Sequence, residues 1–224
     1  MAAAPVTSEA RRRTLTDEVV DHVRDLVLTG QVREGDFIRI DRVAEDLGIS
    51  VTPVREGLLA LQGEGFVELI PRRGFMVRAV SSQDVTDMFW VQGQIEGELT
   101  RRAAEHFAAA GVGTLVAIQT ALEEAACRGD HSRVAELNYD FHHAIAKVVT
   151  ASRMRWFLKQ ASRMSPGRLF PQVEGWTRAA VEEHGAILEA LRAGDAEAAG
   201  VAMTQHVIHA GHLLAGQLKA VTGN

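Results

Sequence analysis

The sequence predicts a mainly α-helical protein with two parts, an N-terminal winged helix-turn-helix and an all-α helical bundle. Two short helical patterns, separated by a glycine, precede two short apolar strands between residues 41 and 77. After residue 84, apolar residues recur at helical spacing, and no strand-like alternation persists. Breaks containing glycine or proline divide this second part into segments. We therefore predict a disordered arm at residues 1–14, a winged helix-turn-helix domain at 15–80 and an all-helical domain at 81–224.

The helices of the first part have recognisable ends. A first helix is predicted at about residues 16–29, and a second short helix with an apolar face ends at Gly48. Glycine at that position is typical of a left-handed C-cap. Either Ser50 or Thr52 can cap the third helix, and Pro53 lies in its first turn, where the missing N–H costs little.

A two-stranded wing is predicted after the third helix. Residues 66–70 form an apolar strand, residues 71–74 form a turn, and residues 75–77 form the return strand. A helix-turn-helix of this type inserts its second helix into the major groove of DNA. Arg55 projects from the first turns of that helix, and arginine is the residue type that binds guanine with two hydrogen bonds.

Further arginines surround this predicted recognition helix. Arg72 and Arg73 lie at the tip of the wing, where they suit phosphate or minor-groove contact, and Arg39 and Arg42 flank the preceding helix. A single surface arginine is more often a solvated charge, but five in this arrangement favour DNA contact. The predicted DNA-binding residues are Arg39, Arg42, Thr52, Arg55, Arg72, Arg73 and Gly74.

Bulk charge gives the DNA prediction no support. The chain of 224 residues has a net charge of −5, and residues 1–80 contain 11 arginines and no lysine against 13 acidic residues. Contact with DNA must therefore depend on the placement of arginines, and a weak electrostatic attraction makes dimeric binding more necessary. The single cysteine, Cys127, excludes an internal disulfide and is expected to be a buried or idle thiol in a reducing cytoplasm. No apolar run is long enough to cross a membrane.

The second part is predicted to contain about six helices. A short polar segment at residues 81–84 forms the boundary and caps the first of them. The predicted helices are residues 84–110, 113–128, 131–150, 152–165, 171–193 and 195–221.

Three histidines of this part fall on the inward faces of three different helices. His142 shares an apolar face with Ile145 and has Asn138 one turn before it, and His184 and His206 lie on two later stripes. A lone inward histidine is usually a hydrogen-bonded core residue. Three on one bundle can converge, and three imidazoles with an oxygen form a good site for a divalent transition metal. Both interpretations stay open at this point.

The motifs of the chain resemble a known family. GxxxxGD, LGISVTPVREGL and LxxEGFVxxxPRRGFMV, within residues 15–80, are similar to the DNA-binding domain of GntR-family bacterial repressors. IEGELTRRAAEH, LNYDFHHAIAKV, EEHGAILEALRAGDAEAA and AMTQHV resemble the FCD ligand-binding domain of the FadR-type branch, in its shorter VanR-like form. Two positions depart from the first pattern: Val51 replaces a basic residue, and Gly57 replaces alanine at a cost to helix stability of about 1 kcal/mol.

The resemblance implies a metal site and an effector site. A D-x-x-F-H helix and two later histidines hold metal in many FCD domains, and the matching positions here are Asn138, His142, His184 and His206. The metal implied is divalent, with zinc or nickel expected, and the neutral Asn138 in place of an acid lowers the expected affinity.

An effector carboxylate often pairs with an arginine in this family. Glu96 matches the family's glutamate, but Gln92 stands in place of the arginine, which implies a less acidic effector or recognition by the metal and neutral donors. Arg101, Arg102 and Arg163 are possible replacements. By residue type alone, Trp90, Trp156 and Trp176 are expected in the core or the pocket wall rather than in a stacking platform.

The leading interpretation is a cytoplasmic, ligand-responsive repressor. A homodimer binds two-fold operator DNA, and a small effector, expected to be a carboxylate, changes the arrangement of the two DNA-binding domains. The alternative is a metal-dependent enzyme domain fused to a DNA-binding module, but the sequence contains no HExxH, GxSxG or P-loop, and no inward acid near the histidines is evident as a general base. A third interpretation makes the helical domain a dimerisation module with core histidines.

Overall fold

A computed structural model describes residues 14–163, Phe170 and residues 173–222. These residues form two compact units: the chain up to Val27 with Gln31–Ala79, and Leu28–Gly30 with the chain from Val80 onward. Residues 1–13 of the predicted arm and the predicted break at residues 166–167 lie outside the described residues. Thr14 exchanges hydrogen bonds with Asp17 at the start of the first helix.

The first unit has the predicted order of three helices and a two-stranded wing. Gly48, with φ of 65°, ends the second helix in the left-handed conformation and donates its N–H to the last turn. Ser50 takes the N-cap position of the third helix, but its side chain makes no capping hydrogen bond. The elements are α1 (Leu15–Leu28), α2 (Ile40–Leu47), α3 (Val51–Gly63), β1 (Val67–Ile70) and β2 (Gly74–Val77).

The wing is an antiparallel hairpin in which Val67 pairs with Val77 and Ile70 pairs with Gly74. Arg72, at the tip, has a φ of 64°, which a turn this tight requires and which is uncommon outside glycine. Phe66 is buried directly before β1, and Leu69 on the strand is 44% exposed. The hairpin therefore anchors its base in the core and presents its tip to solvent.

The structure explains why glycine, and not the alanine usual in similar sequences, stands at position 57. It lies on the buried face of α3, and a Cβ built at this position would lie 2.6 Å from Cγ1 of Val19 on α1. Because carbon atoms in contact are about 3.5–4.0 Å apart, no side chain fits between the two helices without moving them. Glycine at position 57 therefore lowers the intrinsic stability of α3 but allows α1 and α3 to pack closely.

The second unit contains six helices within the described residues, as expected. The two longest, α4 and α9, pack along each other, and α8 lies against α9. Ser81 and Asp84 form a reciprocal capping box at the start of α4, which matches the predicted capping by this segment. The helices are α4 (Ser82–Ala110), α5 (Gly113–Cys127), α6 (His131–Lys147), α7 (Ser152–Arg163), α8 (Trp176–Ala193) and α9 (Ala196–Thr222).

Most helix boundaries of this unit lie within two residues of the prediction, and two differ by more. Helix α8 begins at Trp176 rather than at residue 171, because Gly175 before it adopts a left-handed φ of 81°, which a continuous α-helix does not contain. Helix α6 ends at Lys147 rather than at residue 150. Among the described helices, none is both long and apolar enough to cross a membrane.

The predicted burial of the tryptophans is wrong for two of the three. Trp176 is buried, but Trp90 is 57% exposed and Trp156 is 54% exposed. Trp90 follows the buried Phe89 by one residue, and one residue rotates a side chain by about 100° around a helix. Cys127 is exposed, so of the two alternatives expected for it, a buried or an idle thiol, burial does not hold.

Candidate functional site

The three predicted histidines come together inside the second unit. His142 is supplied by α6, His184 by α8 and His206 by α9. Their ligand atoms all lie within 4.8 Å of one another, and they are the only such cluster of potential metal ligands in the part of the chain that the structure describes. His184 and His206 are buried, and His142 is half-buried.

Each histidine is held through its Nδ1 atom by a different oxygen. Nδ1 of His142 lies 2.5 Å from Oε2 of Glu96, and Nδ1 of His206 lies 2.7 Å from Oε2 of Glu183. Nδ1 of His184 lies 2.8 Å from Oε1 of Gln119. An ionised carboxylate only accepts hydrogen bonds, so Nδ1 of His142 and of His206 must carry the proton. In a neutral ring, Nε2 then carries the lone pair, and the Nε2 atoms of these two histidines face each other inside the cluster.

The charges of the two carboxyl groups fit this arrangement. Burial raises the pKa of Glu96, but the charge and hydrogen bond of His142, with the hydrogen bond of Gln92, lower it below its usual value. Burial also raises the pKa of Glu183, but hydrogen bonds to His206 and His209 lower it overall. Both groups are therefore carboxylates at neutral pH.

The two buried imidazoles are held in their neutral form. Burial is the main cause that lowers the pKa of His184, and the nearby His206 and His142 add to it. Burial likewise lowers the pKa of His206, although the hydrogen bond from its Nδ1 to Glu183 partly opposes this effect. Neutral imidazole is the form that binds a metal ion.

The convergence leaves polar atoms that lack partners. Nε2 of His142 and Nε2 of His206 are 3.2 Å apart, although both point lone pairs at the centre. Nε2 of His184 and Oδ1 of Asn138 are buried and have no hydrogen-bond partner in the described part of the chain. Buried acceptors without a donor are costly, and a cation at the centre would satisfy the three imidazole nitrogens.

The donor set fits a divalent transition metal. Two nitrogens bonded at about 2.1 Å to one Zn²⁺, at octahedral or tetrahedral angles, lie about 3.0–3.4 Å apart, and the Nε2 atoms of His142 and His206 match this spacing. Histidines that ligate a metal almost always donate their other N–H to a carboxylate or another oxygen, as all three do here. Three imidazole nitrogens and the amide oxygen of Asn138 are the candidate ligands.

The residues predicted for the effector lie beside this cluster. Nε2 of Gln92 donates to Oε1 of Glu96 at 2.7 Å, so both carboxylate oxygens of Glu96 have protein partners. Arg101 and Arg102 do not point inward, because both are exposed and pair with Glu98. The side chain of Arg163 lies outside the described structure. Effector binding by Gln92 and Glu96 stays a prediction.

Sequence reasoning missed two of the three oxygens that hold the histidines. No inward acid near the histidines was evident from the sequence as a general base, yet Glu96 and Glu183 both contact the cluster. Glu183 adjoins His184 in sequence yet reaches across to α9, where it also binds the exposed His209 at 2.5 Å. Gln119 carried no recognisable signal, since its partner is 65 residues away.

The predicted DNA-binding residues are exposed in the first unit, apart from the half-buried Gly74. Arg55 lies on the outer face of α3, one residue after the buried Val54. Arg42 is 68% exposed and forms an ion pair with Asp46, and the guanidinium of Arg73 lies 4.6 Å from the ring centre of Phe37. The positions placed at the surface are Arg39, Arg42, Thr52, Arg55, Arg72 and Arg73.

One arginine of this unit has a different role. Arg24 on α1 is 2% exposed, binds Glu64 at the end of α3 at 2.5 Å and lies over the ring of Phe66. It joins α1 to the end of α3 and the start of the wing. Its charge is therefore neutralised inside the unit and is not available to a partner.

Two known families match the chain, and the boundary between their matches falls where the two compact units of the structure meet in sequence. Residues 15–77 match the family described as bacterial regulatory proteins, gntR family, and residues 87–209 match the FCD domain.

Several curated proteins are similar in sequence. The chain is 27% identical over 197 residues to a protein of Paenarthrobacter nicotinovorans described as a probable D-xylose utilization operon transcriptional repressor, covering 88% of this chain and 87% of that protein. It is 25% identical over 197 residues to the HTH-type transcriptional regulator McbR of Escherichia coli K12, covering 86% and 89%. An uncharacterized regulator of Mycobacterium tuberculosis is 24% identical over 67% of this chain, and the chain spans 60% of its length.

Solved structures share the fold. Escherichia coli McbR/YncC superposes with a TM-score of 0.68 at 23% identity, covering 92% of this chain and 99% of that one. A regulator from Rhodococcus sp. RHA1 superposes with a TM-score of 0.60 at 21% identity, covering 90% and 97%. These similarities confirm the predicted fold class, a winged helix-turn-helix followed by an all-α bundle.

Proposed function

The chain belongs to the GntR family of bacterial regulatory proteins, in the group that carries an FCD domain, and we propose that it is a metal-containing, ligand-responsive repressor of transcription. The relatives reported above are described as transcriptional regulators and not as enzymes. The alternative of a metal-dependent enzyme therefore has no support from them. The similarity to a protein described as an operon repressor favours repression over activation.

DNA binding is proposed to occur through α3 and the wing of two copies. Arg55 would contact base edges, while Arg72, Arg73, Arg39 and Arg42 would contact the backbone. A homodimer is required by this proposal, since one small domain supplies neither the affinity nor the specificity of an operator-binding protein. The acidic net charge of the chain adds to this requirement, because it weakens non-specific attraction to DNA.

Metal binding is proposed at Asn138, His142, His184 and His206. The observation that carries this proposal is the convergence of Nε2 atoms whose Nδ1 atoms are all engaged elsewhere. A bound divalent ion would supply a positive charge and open positions for an oxygen donor of a ligand. The chain itself holds the imidazoles of His184 and His206 neutral, and it places all three rings between α6, α8 and α9.

The effector is proposed to be a small molecule with at least one oxygen donor, such as a carboxylate. Gln92 lies next to Glu96 on the first helix of the FCD domain. Its amide is neutral, whereas a strongly acidic effector would be bound better by a positively charged side chain at this position. Glu96 already has partners on both oxygens, so direct contact with the effector falls to Gln92 in this proposal. A thermal-shift screen of small organic acids, with and without added zinc or nickel, tests it.

Elemental analysis of the purified protein tests the metal proposal directly. Wild type loaded with zinc or nickel should retain up to one ion per chain after dialysis, and His142→Ala should lose most of it. His143→Ala is the matched control, because His143 is the exposed neighbour on the same helix and should leave the metal content unchanged. His206→Ala and the exposed His212→Ala form a second such pair on α9.

The outcomes separate the interpretations clearly. If loaded wild type holds no metal above a chelated blank, the three histidines are core residues and the metal proposal is refuted. If His143→Ala loses as much metal as His142→Ala, binding is adventitious and does not occur at this cluster. Operator binding by the winged domain is a separate measurement and survives either result.

A further inference from the structure

Gln119 is a buried polar side chain with an unusually complete set of hydrogen bonds. It lies on α5 and is 5% exposed. Its Nε2 donates to Oε1 of Glu123 at 2.9 Å and to the backbone oxygen of Val181 at 3.1 Å. Its Oε1 lies 2.8 Å from Nδ1 of His184. The side chain thus links α5 to α8 at the residue that supplies one of the candidate metal ligands.

These contacts define which end of the amide faces His184. The carbonyl of Val181 can only accept a hydrogen bond, and so can the carboxylate of Glu123. The NH₂ group of Gln119 must therefore face both of them, and its oxygen must face the imidazole. Because that oxygen only accepts, Nδ1 of His184 must donate, and Nε2 of the neutral ring must carry the lone pair.

The ring of His184 is also fixed in orientation. It stacks on the ring of Phe141, with centroids 3.9 Å apart and planes 6° from parallel. Its Nε2 is buried and has no hydrogen-bond partner within the described residues. The stack fixes the plane of the ring, and a flip of the ring within that plane would lose the bond to Gln119, so this bond sets the direction in which Nε2 points.

We propose that Gln119 is a positioning residue of the metal site, which holds His184 in the tautomer whose Nε2 lone pair faces His142 and His206. The proposal rests on the proposed metal-binding function. In the opposite tautomer, Nε2 would carry a proton and point an N–H at the place where a cation would bind. The other two histidines donate to carboxylates, so Gln119 is the one neutral partner among the three.

Two variants separate this role from simple packing. Gln119→Met removes the accepting oxygen while keeping a similar volume. The double exchange Gln119→Glu with Glu123→Gln keeps an oxygen at position 119 that accepts from His184, and the new amide at position 123 can donate to the new carboxylate. The double exchange loses the donor to the backbone oxygen of Val181, as Gln119→Met also does. Only the methionine variant thus removes the acceptor for His184, while both variants lose the bond to the backbone of Val181.

The first measurement needs no metal. In metal-free protein, ¹⁵N NMR of the histidine side chains, with the His184 signal identified by its loss in His184→Ala, reports which nitrogen carries the proton. We expect the Nδ1–H tautomer in wild type and in the exchange variant, and a mixture in Gln119→Met. The same tautomer in Gln119→Met as in wild type would overturn the proposal.

The second measurement is zinc affinity by competition with a chromophoric chelator. Loss of a hydrogen-bonding partner behind a metal ligand typically weakens affinity about 10- to 100-fold. We expect such a loss in Gln119→Met and a return to within a few-fold of wild type in the exchange variant. Equal losses in both variants would assign Gln119 to helix packing and refute the positioning role. If wild type binds no zinc, the metal proposal fails, while the tautomer measurement still decides what Gln119 does.

Discussion

Replacing Gly211 with alanine should destabilise the FCD domain, although alanine favours helices. A Cβ at position 211 on α9 would lie 2.3 Å from Cβ and 2.6 Å from Cγ of Phe89 on α4. Carbon atoms in contact are about 3.5–4.0 Å apart, so the overlap exceeds 1 Å. Cβ of Phe89 cannot move away by side-chain rotation, and Phe89 is 2% exposed, so the two helices themselves must separate.

The magnitude follows from two opposing effects. Glycine to alanine within a helix gains about 1 kcal/mol of intrinsic stability. Overpacking a core typically costs about 1–3 kcal/mol, and an overlap of this size places the cost near about 3 kcal/mol. The net loss is about 2 kcal/mol, which in a protein of this size lowers Tm by about 4–8 °C.

Gly216→Ala is the matched control on the same helix. A Cβ at position 216 would meet no atom within 4 Å, so only the propensity gain applies and Tm should rise by about 2–4 °C. Differential scanning calorimetry of the full chain measures both variants. Gly211→Ala should also weaken zinc binding, because α4 carries Glu96 and α9 carries His206. An equal rise in Tm for both variants would refute the close approach of α4 and α9.

Three further predictions concern the two sites. Asn138→Asp should tighten zinc binding by roughly 10-fold, or 1.4 kcal/mol, because a charged oxygen replaces a neutral one; weaker binding would show that residue 138 is not a ligand. Metal-free protein should lose stability as the pH falls below 6.5. The lowered pKa values of His184 and His206 mean that the unfolded chain binds protons first, so their contribution is present above 6.5 and is lost on acidification, before Glu96 titrates below 4.5. Urea denaturation between pH 7.5 and 5 measures this, and a flat profile would contradict it. Arg55→Ala should abolish specific operator binding in a mobility-shift titration. Replacement of a wing-tip arginine by alanine should instead weaken binding to all DNA sequences alike and lower the salt dependence of the affinity by about one unit of slope. Wild-type specificity in Arg55→Ala would disprove the assignment of α3 as the recognition helix.

Local patterns were sufficient for most of the secondary structure. Gly48 was expected to end α2 in a left-handed conformation and does so, because a residue without Cβ adopts that conformation at little cost. The start of α8 was placed five residues too early, since the apolar spacing before Trp176 does not reveal the left-handed Gly175. Periodicity reports which faces are apolar but does not report a single residue with unusual dihedral angles.

Burial was harder to predict than helix position. Trp90 and Trp156 are exposed although tryptophan is mostly buried in proteins, while Trp176 is buried as expected. The sequence of one helix shows its apolar stripe, but a residue beside the stripe is buried only if a neighbouring element covers it. That coverage depends on the packing of helices that are far apart in sequence.

The sequence by itself determined the order of helices, the wing, the family and the inward position of three histidines, because each depends on spacing within a single element or on a contiguous motif. Only the tertiary structure decided what holds those histidines. His142 and Glu96 are separated by 46 residues, and His184 and Gln119 by 65. A hydrogen bond between side chains at such separations leaves no periodic trace in either helix. The direction of each imidazole lone pair therefore follows from the packing of α4 and α5 against the ligand-bearing helices α6, α8 and α9, and of α8 against α9, so the candidate metal site exists only in the folded chain.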